Sequence, residues 1–366
     1  MNRFLFRMTA VILAPLLWWR SRPALVRHAL AGRRFTPAPP PQGDRIRVGV
    51  VQLEAHLFRS AAEYAQTMYG LTRQAVEAGA QLMVFPEDSG GYLLAGLIPG
   101  IDQLIPAPGR ISAHIRKVGM SDLLRLLAPA ARRIFETTFS SLAAGFGVHL
   151  GAGTVCLPDG RGNLLRVGYF FGPDGRTIGT QAQTHLSPRE AAWGMSRGEE
   201  IRVFETALGR ISIPICIDHS YFEPQRIAWL RGAEIMIAPV GDAAEYNFWL
   251  HARGLWGRVQ ESPAYGILAC LVGHELGITT GGRSGVYAPL EMTPSGDGII
   301  AQAQDADRPE VVVADLDLAA LRRFRREHAP QFNLALYRRY LPAAYEAYRR
   351  TEQDGRRVVS PASSKV

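Results

Sequence analysis

The chain has 366 residues, 47% of them hydrophobic and 20% charged, which is enough apolar material for a large core. Its net charge of +8 is unevenly placed: residues 1–45 hold eight arginines against one acid, Asp44, so the remainder is close to neutral. This excludes a nucleic-acid-binding domain, whose basic excess would cover the folded surface. Three widely spaced cysteines, Cys156, Cys216 and Cys270, likewise give no disulfide framework and no metal-ligand spacing.

The first element is an apolar run, Met8 to Trp19, flanked by Arg3, Arg7, Arg20 and Arg22. It is shorter than the roughly 20 residues a spanning helix needs, and it contains Pro15. Trp18, Trp19 and the flanking arginines suit a headgroup interface. A secretory signal would share the basic start and the apolar stretch, but no small-x-small cleavage site follows. A frayed terminus or an oligomer contact is the plainer alternative. Thr36 to Gly43 is a stiff, proline-rich linker. Residues 1–44 are therefore expected to form a membrane-associating extension, 45–345 the folded domain and 346–366 a tail. The expected location is cytoplasmic, with an anionic membrane surface as a partner of the extension.

Strands are expected at Ile46–Leu53 and Gln81–Phe85, with a helix between them over Ala61–Ala78 at apolar helical spacing. Tyr92 to Met120 is apolar but rich in Gly and Pro and reads as an insertion near a pocket mouth. Ser121–Phe146 is helical. Strands follow at His149–Leu157, Leu164–Phe171 and Thr177–Ala182, with turn signals at Asp159-Gly160 and Asp174-Gly175. The run Gly209 to Asp218 is a strand ending in a thiol. Helices at Phe222–Ala233 and Ala244–Gln260 flank a strand at Ile235–Val240. Strands at Tyr265–Val272 and Val311–Ala314 and a closing helix at Leu318–Glu327 complete the domain. The alternation predicts a mixed-sheet α/β fold.

Three strand ends present polar groups: Glu87 after Pro86, the segment Gln183-Thr184-His185-Leu186 with Glu190 beyond it, and Cys216. Taken alone, Cys216 would be a buried core residue. Phe85-Pro86-Glu87, Gln183 to Leu186 and Ile215-Cys216-Ile217-Asp218 through Glu223 together resemble, in order, the three motifs of the nitrilase superfamily of carbon–nitrogen hydrolases. Gly232 to Ile235, Arg258 to Glu261, Gly282 to Ser284 and Asp315 to Asp317 extend the resemblance over roughly Arg45 to Tyr345. It implies a four-layer α-β-β-α sandwich of two mixed sheets, carrying the N-terminal apolar and basic extension, and a homodimer formed through a helical face.

The resemblance also implies roles. Cys216 is the nucleophile, Glu87 the general base and Glu190 a second carboxylate that orients the site. A fixed cation would lower the thiol pKa and stabilise an oxyanion. The family carries lysine in its second motif, whereas this chain carries Gln183, which donates a hydrogen bond without charge. The chain's two lysines, Lys117 and Lys365, lie far from the motif. The expected function is hydrolysis of an amide-type bond in a small-molecule amide or nitrile through a Cys thioester, impaired by the missing lysine. The alternative is a catalytically inactive binding or scaffold protein of this fold at a membrane. No cofactor, metal or nucleic-acid partner is expected. His185 is balanced between a site role and holding the backbone. Arg258 and Glu261 read as a structural ion pair, His219 as a poor partner for Cys216, and Trp193 and Trp249 as core residues rather than pocket walls.

Overall fold

The computed structural model describes residues 3–101, 120–242, 244–275 and 277–353. The chain opens with helices α1 (Arg3–Arg20) and α2 (Pro23–Leu30), then β1 (Arg45–Glu54), α3 (Ala61–Glu77) and β2 (Leu82–Val84). Ser60 caps α3 by accepting from the Glu63 N–H, and the helix buries Tyr64, Met68, Thr72 and Val76 at helical spacing. A short 3₁₀ turn, Tyr92–Leu97, is followed by the long helix α4 (Met120–Phe146). Most of the expected insertion, with Lys117, lies outside the described residues, as does Lys365.

Strands β3 (His149–Pro158), β4 (Leu164–Phe171) and β5 (Thr177–Ala182) follow, then helix α5 (Pro188–Ala192), β6 (Val203–Thr206) and β7 (Gly209–Ser212). After a 3₁₀ turn at Cys216–Ser220 come α6 (Phe222–Leu230), β8 (Ile235–Val240), α7 (Phe248–Ala252), α8 (Leu255–Glu261) and β9 (Tyr265–Glu275). The last elements are β10 (Ile278–Thr280), β11 (Gly285–Tyr287), β12 (Ile299–Gln302), β13 (Glu310–Asp317), α9 (Leu318–Glu327) and α10 (Leu334–Gln353).

The strands form two mixed sheets. One runs β5-β4-β3-β2-β1-β13 and the other β6-β7-β8-β9-β11-β12. They are joined where the end of β1 pairs with β9, Leu53 opposite Leu271. Between the sheets lies a core that includes Val48, Val50, Val84, Phe170, Ile213, Ile237 and Ile267. Helices α3 and α4 cover the outer face of the first sheet with Met68, Phe135 and Phe139. Helices α6 and α8 cover the second with Ala228, Leu255 and Val259. This is the four-layer α-β-β-α sandwich the resemblance implied. Leu17 of α1 and Val26 and Leu30 of α2 are buried in the same cluster as α3 and α4.

Three details depart from the sequence reading. The helix expected over Ala244–Gln260 is two short helices, because Gly254 takes an extended ψ of −139° between them. A Cβ at Gly254 would also stand 2.6 Å from the His219 ring. Trp249 is 77% exposed rather than in the core, in keeping with α7 as a whole, which buries no residue. The C-terminal helix α10 was not foreseen. It lies in a second compact unit that starts at Arg326, and its apolar residues, Leu334, Tyr337, Tyr340, Leu341, Tyr345 and Tyr348, are exposed.

Candidate active site

In open α/β sheets ligands gather beyond the carboxyl ends of the strands, and the predicted residues gather there. Strand β2 gives way at Pro86, and Glu87 follows, 2% exposed. Its Oε2 accepts from the Gly241 N–H at 2.7 Å, just past β8. Cys216 follows β7 by four residues and starts the 3₁₀ turn. Its thiol lies beside the Glu87 carboxylate. Ligand-type atoms of Glu87, Glu190 and Cys216 all lie within 4.8 Å of one another.

The backbone marks the same place. Among the described residues, Asp88 and Cys216 are the two non-glycine residues with positive φ, at 57° and 48°. Strain of this kind persists where the surroundings over-determine it, and it clusters at functional sites. The Asp88 N–H is held by Thr154 Oγ1 at 2.9 Å, and Ser89 Oγ donates to the Ala152 carbonyl at 2.6 Å. That close approach of the turn to β3 requires Gly153, at φ +76°, where a Cβ would collide with the Pro86 carbonyl.

Glu190 comes from α5. Its Oε2 accepts from Ser187 N at 2.8 Å and Ser187 Oγ at 2.9 Å, and Ser187 Oγ accepts from the Glu190 N–H, so the pair is a capping box. The Ser-Pro-Arg-Glu stretch encodes that cap directly. Gln183, at the end of β5, donates to the His185 carbonyl at 2.7 Å and to Glu190 Oε2 at 3.1 Å.

The sequence reading missed Arg166, on β4. Its guanidinium is 2% exposed and pairs with three carboxylates: Nη1 with Glu87 Oε1 and with Asp88 Oδ1 at 2.7 Å, and Nε with Glu190 Oε1 at 3.2 Å. The available signal was alternation. Leu164, Arg166 and Gly168 are buried and alternate with the half-buried Leu165 and Val167, before Tyr169 to Phe171 are buried throughout, so an arginine stands where the period of two puts an inward side chain.

Electrostatics follow from this crowding. Burial raises the Glu87 carboxyl to about 8, with Asp88 and Glu190 adding to the rise and Arg166 opposing it. Burial would lower the Arg166 pKa, but Asp88, Glu87 and Glu190 outweigh it and keep the guanidinium charged. The Cys216 thiol is pushed well above its ordinary value by burial, then by Glu87 and Glu190, against a smaller pull from Arg166. A fixed cation, Arg166, does pull the thiol pKa down as expected, but burial and the carboxylates outweigh it, so the group rests as a thiol. Cys156, pushed up to about 12 by burial, and Cys270, raised mainly by burial, are core residues as expected.

Asp218 ties the parts together. It is fully buried and accepts from Thr184 Oγ1 at 2.8 Å, His185 N at 2.7 Å and His185 Nδ1 at 2.9 Å. His185 stacks on Tyr221 with ring centroids 4.2 Å apart, so it serves the loop and not the thiol. His219 Nδ1 bonds the Cys216 carbonyl rather than its sulfur. Arg258 and Glu261 do form an ion pair, at 3.2 Å, and Trp193 lies against Arg189 at the margin of a small cluster. A cavity of about 210 Å³ is lined by Ile217 and His219 of the turn that carries Cys216 and by Asp242, Tyr246, His251 and Arg253, but not by Cys216 or Glu87 themselves. A larger surface cleft, about 370 Å³ beside Arg47 and Asp315, holds no thiol. Glu87, Glu190 and Cys216 are metal-ligand types, but Arg166 already supplies the positive charge between the two carboxylates.

Comparison with known proteins fits this geometry. A family model described as carbon-nitrogen hydrolase matches residues 47–326. A protein described as probable hydrolase YhcX, from Bacillus subtilis, is 28% identical over 285 residues, which is 76% of this chain and 51% of that protein. The chain thus spans about half the length of that relative. A nitrilase from Pyrococcus abyssi is 25% identical over 283 residues, 76% of this chain and 93% of the nitrilase. Among solved structures, an amidase from Nesterenkonia sp. AN1, with the acetamide moiety of fluoroacetamide added at its active-site cysteine, shares the fold. Its TM-score is 0.59 at 20% identity, over 83% of this chain and 99% of the amidase.

Proposed function

The chain belongs to the carbon–nitrogen hydrolase family, and on that premise we propose that it hydrolyses an amide-type bond through a thioester on Cys216. The observation that carries the reading is the buried cluster of Glu87, Glu190 and Cys216, whose reactive atoms lie within 4.8 Å of one another. The Cys216 sulfur attacks the carbonyl carbon while its proton passes to Glu87. Glu87 returns the proton to the leaving nitrogen as the C–N bond breaks. Water then adds to the thioester, gives its proton to Glu87, and the carboxylic acid leaves as Cys216 regains a proton. Glu190 keeps its place through the Ser187 cap and Arg166, and Gln183 stands at the family's lysine position. An amide, carbamoyl or nitrile carbon fits the same attack.

The test is turnover of a panel of simple amides and nitriles by the wild type and Cys216→Ala, with fluoroacetamide as the trapping reagent. An adduct on the Cys216 peptide and turnover abolished by Cys216→Ala are the expected results. An intact fold with neither would favour the second reading, a catalytically silent scaffold, which Gln183 supports.

Two finer proposals accompany this one. The exposed Ile12, Trp18 and Trp19, beside Arg20 and Arg22, suit contact with an anionic membrane surface. The exposed Phe222, Ile227 and Leu230 of α6 suit a homodimer through that helical face. No described helix is long and apolar enough to cross a membrane.

A further inference from the structure

We propose that Arg166 has taken over, from the neighbouring strand, the charge that a lysine at position 183 would supply, and that it acts as the positioning cation for Glu87 and Glu190. This rests on the hydrolase reading above and on Gln183 occupying the lysine position.

The argument begins with register. Strands β4 and β5 are antiparallel, with Val167 opposite Ala182, and the next pair is Arg166 opposite Gln183, whose N–H donates to the Arg166 carbonyl at 3.0 Å. Directly opposed residues share a face, with Cβ atoms roughly 4.5–5.5 Å apart. A cation moved from 183 to 166 therefore shifts sideways by one strand spacing and stays on the same side of the sheet. Arginine is the longer cationic side chain and can recover that offset.

The contacts are those the displaced charge would need. One guanidinium reaches the base, Glu87, through Nη1 and the second acid, Glu190, through Nε. Both contacts are ion pairs without hydrogen-bond geometry, so the guanidinium serves the two carboxylates as a buried charge that stays protonated. Nη1 also takes Asp88, whose left-handed backbone turns it into the site. Gln183 keeps the neutral share of the lysine's work, a hydrogen bond to Glu190 Oε2. A buried base among carboxylates needs a nearby cation to ionise at all, and Arg166 is the group that opposes the rise at Glu87.

The experiment compares the full-length wild type with Arg166→Gln, Arg166→Lys, Gln183→Lys and the double variant Arg166→Gln/Gln183→Lys, with Cys216→Ala as the blank. The readouts are kcat/KM for a simple amide against pH and the rate of Cys216 alkylation by iodoacetamide against pH. Arg166→Gln should lower kcat/KM on the order of 10² or more and move the acid limb of both profiles to higher pH. Arg166→Lys should recover part of each. Gln183→Lys alone should lose activity, because it places a second buried cation against Arg166. The double variant should exceed Arg166→Gln by about tenfold or more, one decade of the roughly 10²–10³ that such a charge supplies. A folded Arg166→Gln with wild-type rate and pH limb would overturn the proposal, as would a large gain from Gln183→Lys alone. If Arg166→Gln does not fold, the double variant decides: folded and active supports the relocation, folded and silent overturns it. If the wild type turns over no amide, the hydrolase reading falls by itself. The alkylation profiles then still decide on Arg166, an unshifted limb in Arg166→Gln counting against it.

Discussion

In the proposed mechanism, Glu87 sets the pH dependence of this site. A base must be ionised to accept the Cys216 proton, and burial among Asp88 and Glu190 holds the Glu87 carboxyl near 8 even with Arg166 opposing. Raising pH through that value ionises it, so kcat/KM should climb from about pH 7 to a plateau above about pH 9, roughly one unit either side of that pKa. A profile flat from pH 5 to 9 would show that Glu87 is already ionised and that Arg166 outweighs burial. Glu87, Cys216 and Glu190 were legible in the sequence because the segments around them resemble, in order, the motifs of one family; taken alone, Cys216 reads as a core residue. Arg166 was not legible. Arginines in strands usually face water, and only the alternation of Leu164, Gly168 and Phe170 around it marks the position as inward. Nothing in the sequence around Asp88 signals its left-handed backbone.

At the scale of elements, the site depends on a clamp between two loops that share no strand pairing. Asp218 gathers the backbone N–H groups of Thr184 and His185 and the Thr184 hydroxyl onto the turn that carries Cys216. Removing it leaves those half-buried donors without this acceptor. Asp218→Ala should cost on the order of 3 kcal/mol, the scale of losing charge-assisted hydrogen bonds in a buried place. Asp218→Asn, which keeps an acceptor, should cost less. Urea unfolding followed by circular dichroism measures both, and a loss below about 0.5 kcal/mol, the usual range for a surface change, would mean that the two loops are held by other contacts. Long elements were the readable ones: α3 and α4 carry apolar residues at helical spacing over four turns or more. The break between α7 and α8 was not readable, because it answers to His219 from a distant turn rather than to the local pattern. Helix α10 was missed although Leu334, Tyr337, Leu341, Tyr345 and Tyr348 recur at helical spacing in it.

For the molecule as a whole, the N-terminal 44 residues do two things that can be separated. Their inner side belongs to the fold. Leu17, Val26 and Leu30 are buried, Phe35 packs against Tyr69 and Phe146 with centroids 5.3 and 4.8 Å away, and Arg133 Nη2 donates to Ser21 Oγ at 2.7 Å. Each fully buried aliphatic or aromatic side chain contributes about 1.5–3 kcal/mol, so a chain starting at Asp44 should melt at a clearly lower temperature. A comparison of that truncation with the full chain therefore cannot by itself report on membranes. Their outer side is free of this constraint: Ile12 is 72% and Trp19 54% exposed, and Arg22 lies 5.2 Å from the Trp19 ring. In the full-length chain, Ile12→Ser combined with Trp19→Ser should leave the melting temperature within a degree or so, as surface changes do. The same pair should weaken co-sedimentation with phosphatidylserine-containing vesicles several-fold, because the apolar contact is too small to lose two of its members. Wild-type binding should fall as salt rises, since the arginines act through screened charge. Equal sedimentation of wild type and double variant, or binding indifferent to salt, would remove the membrane from the account and leave the N-terminal helices as part of the domain's wall.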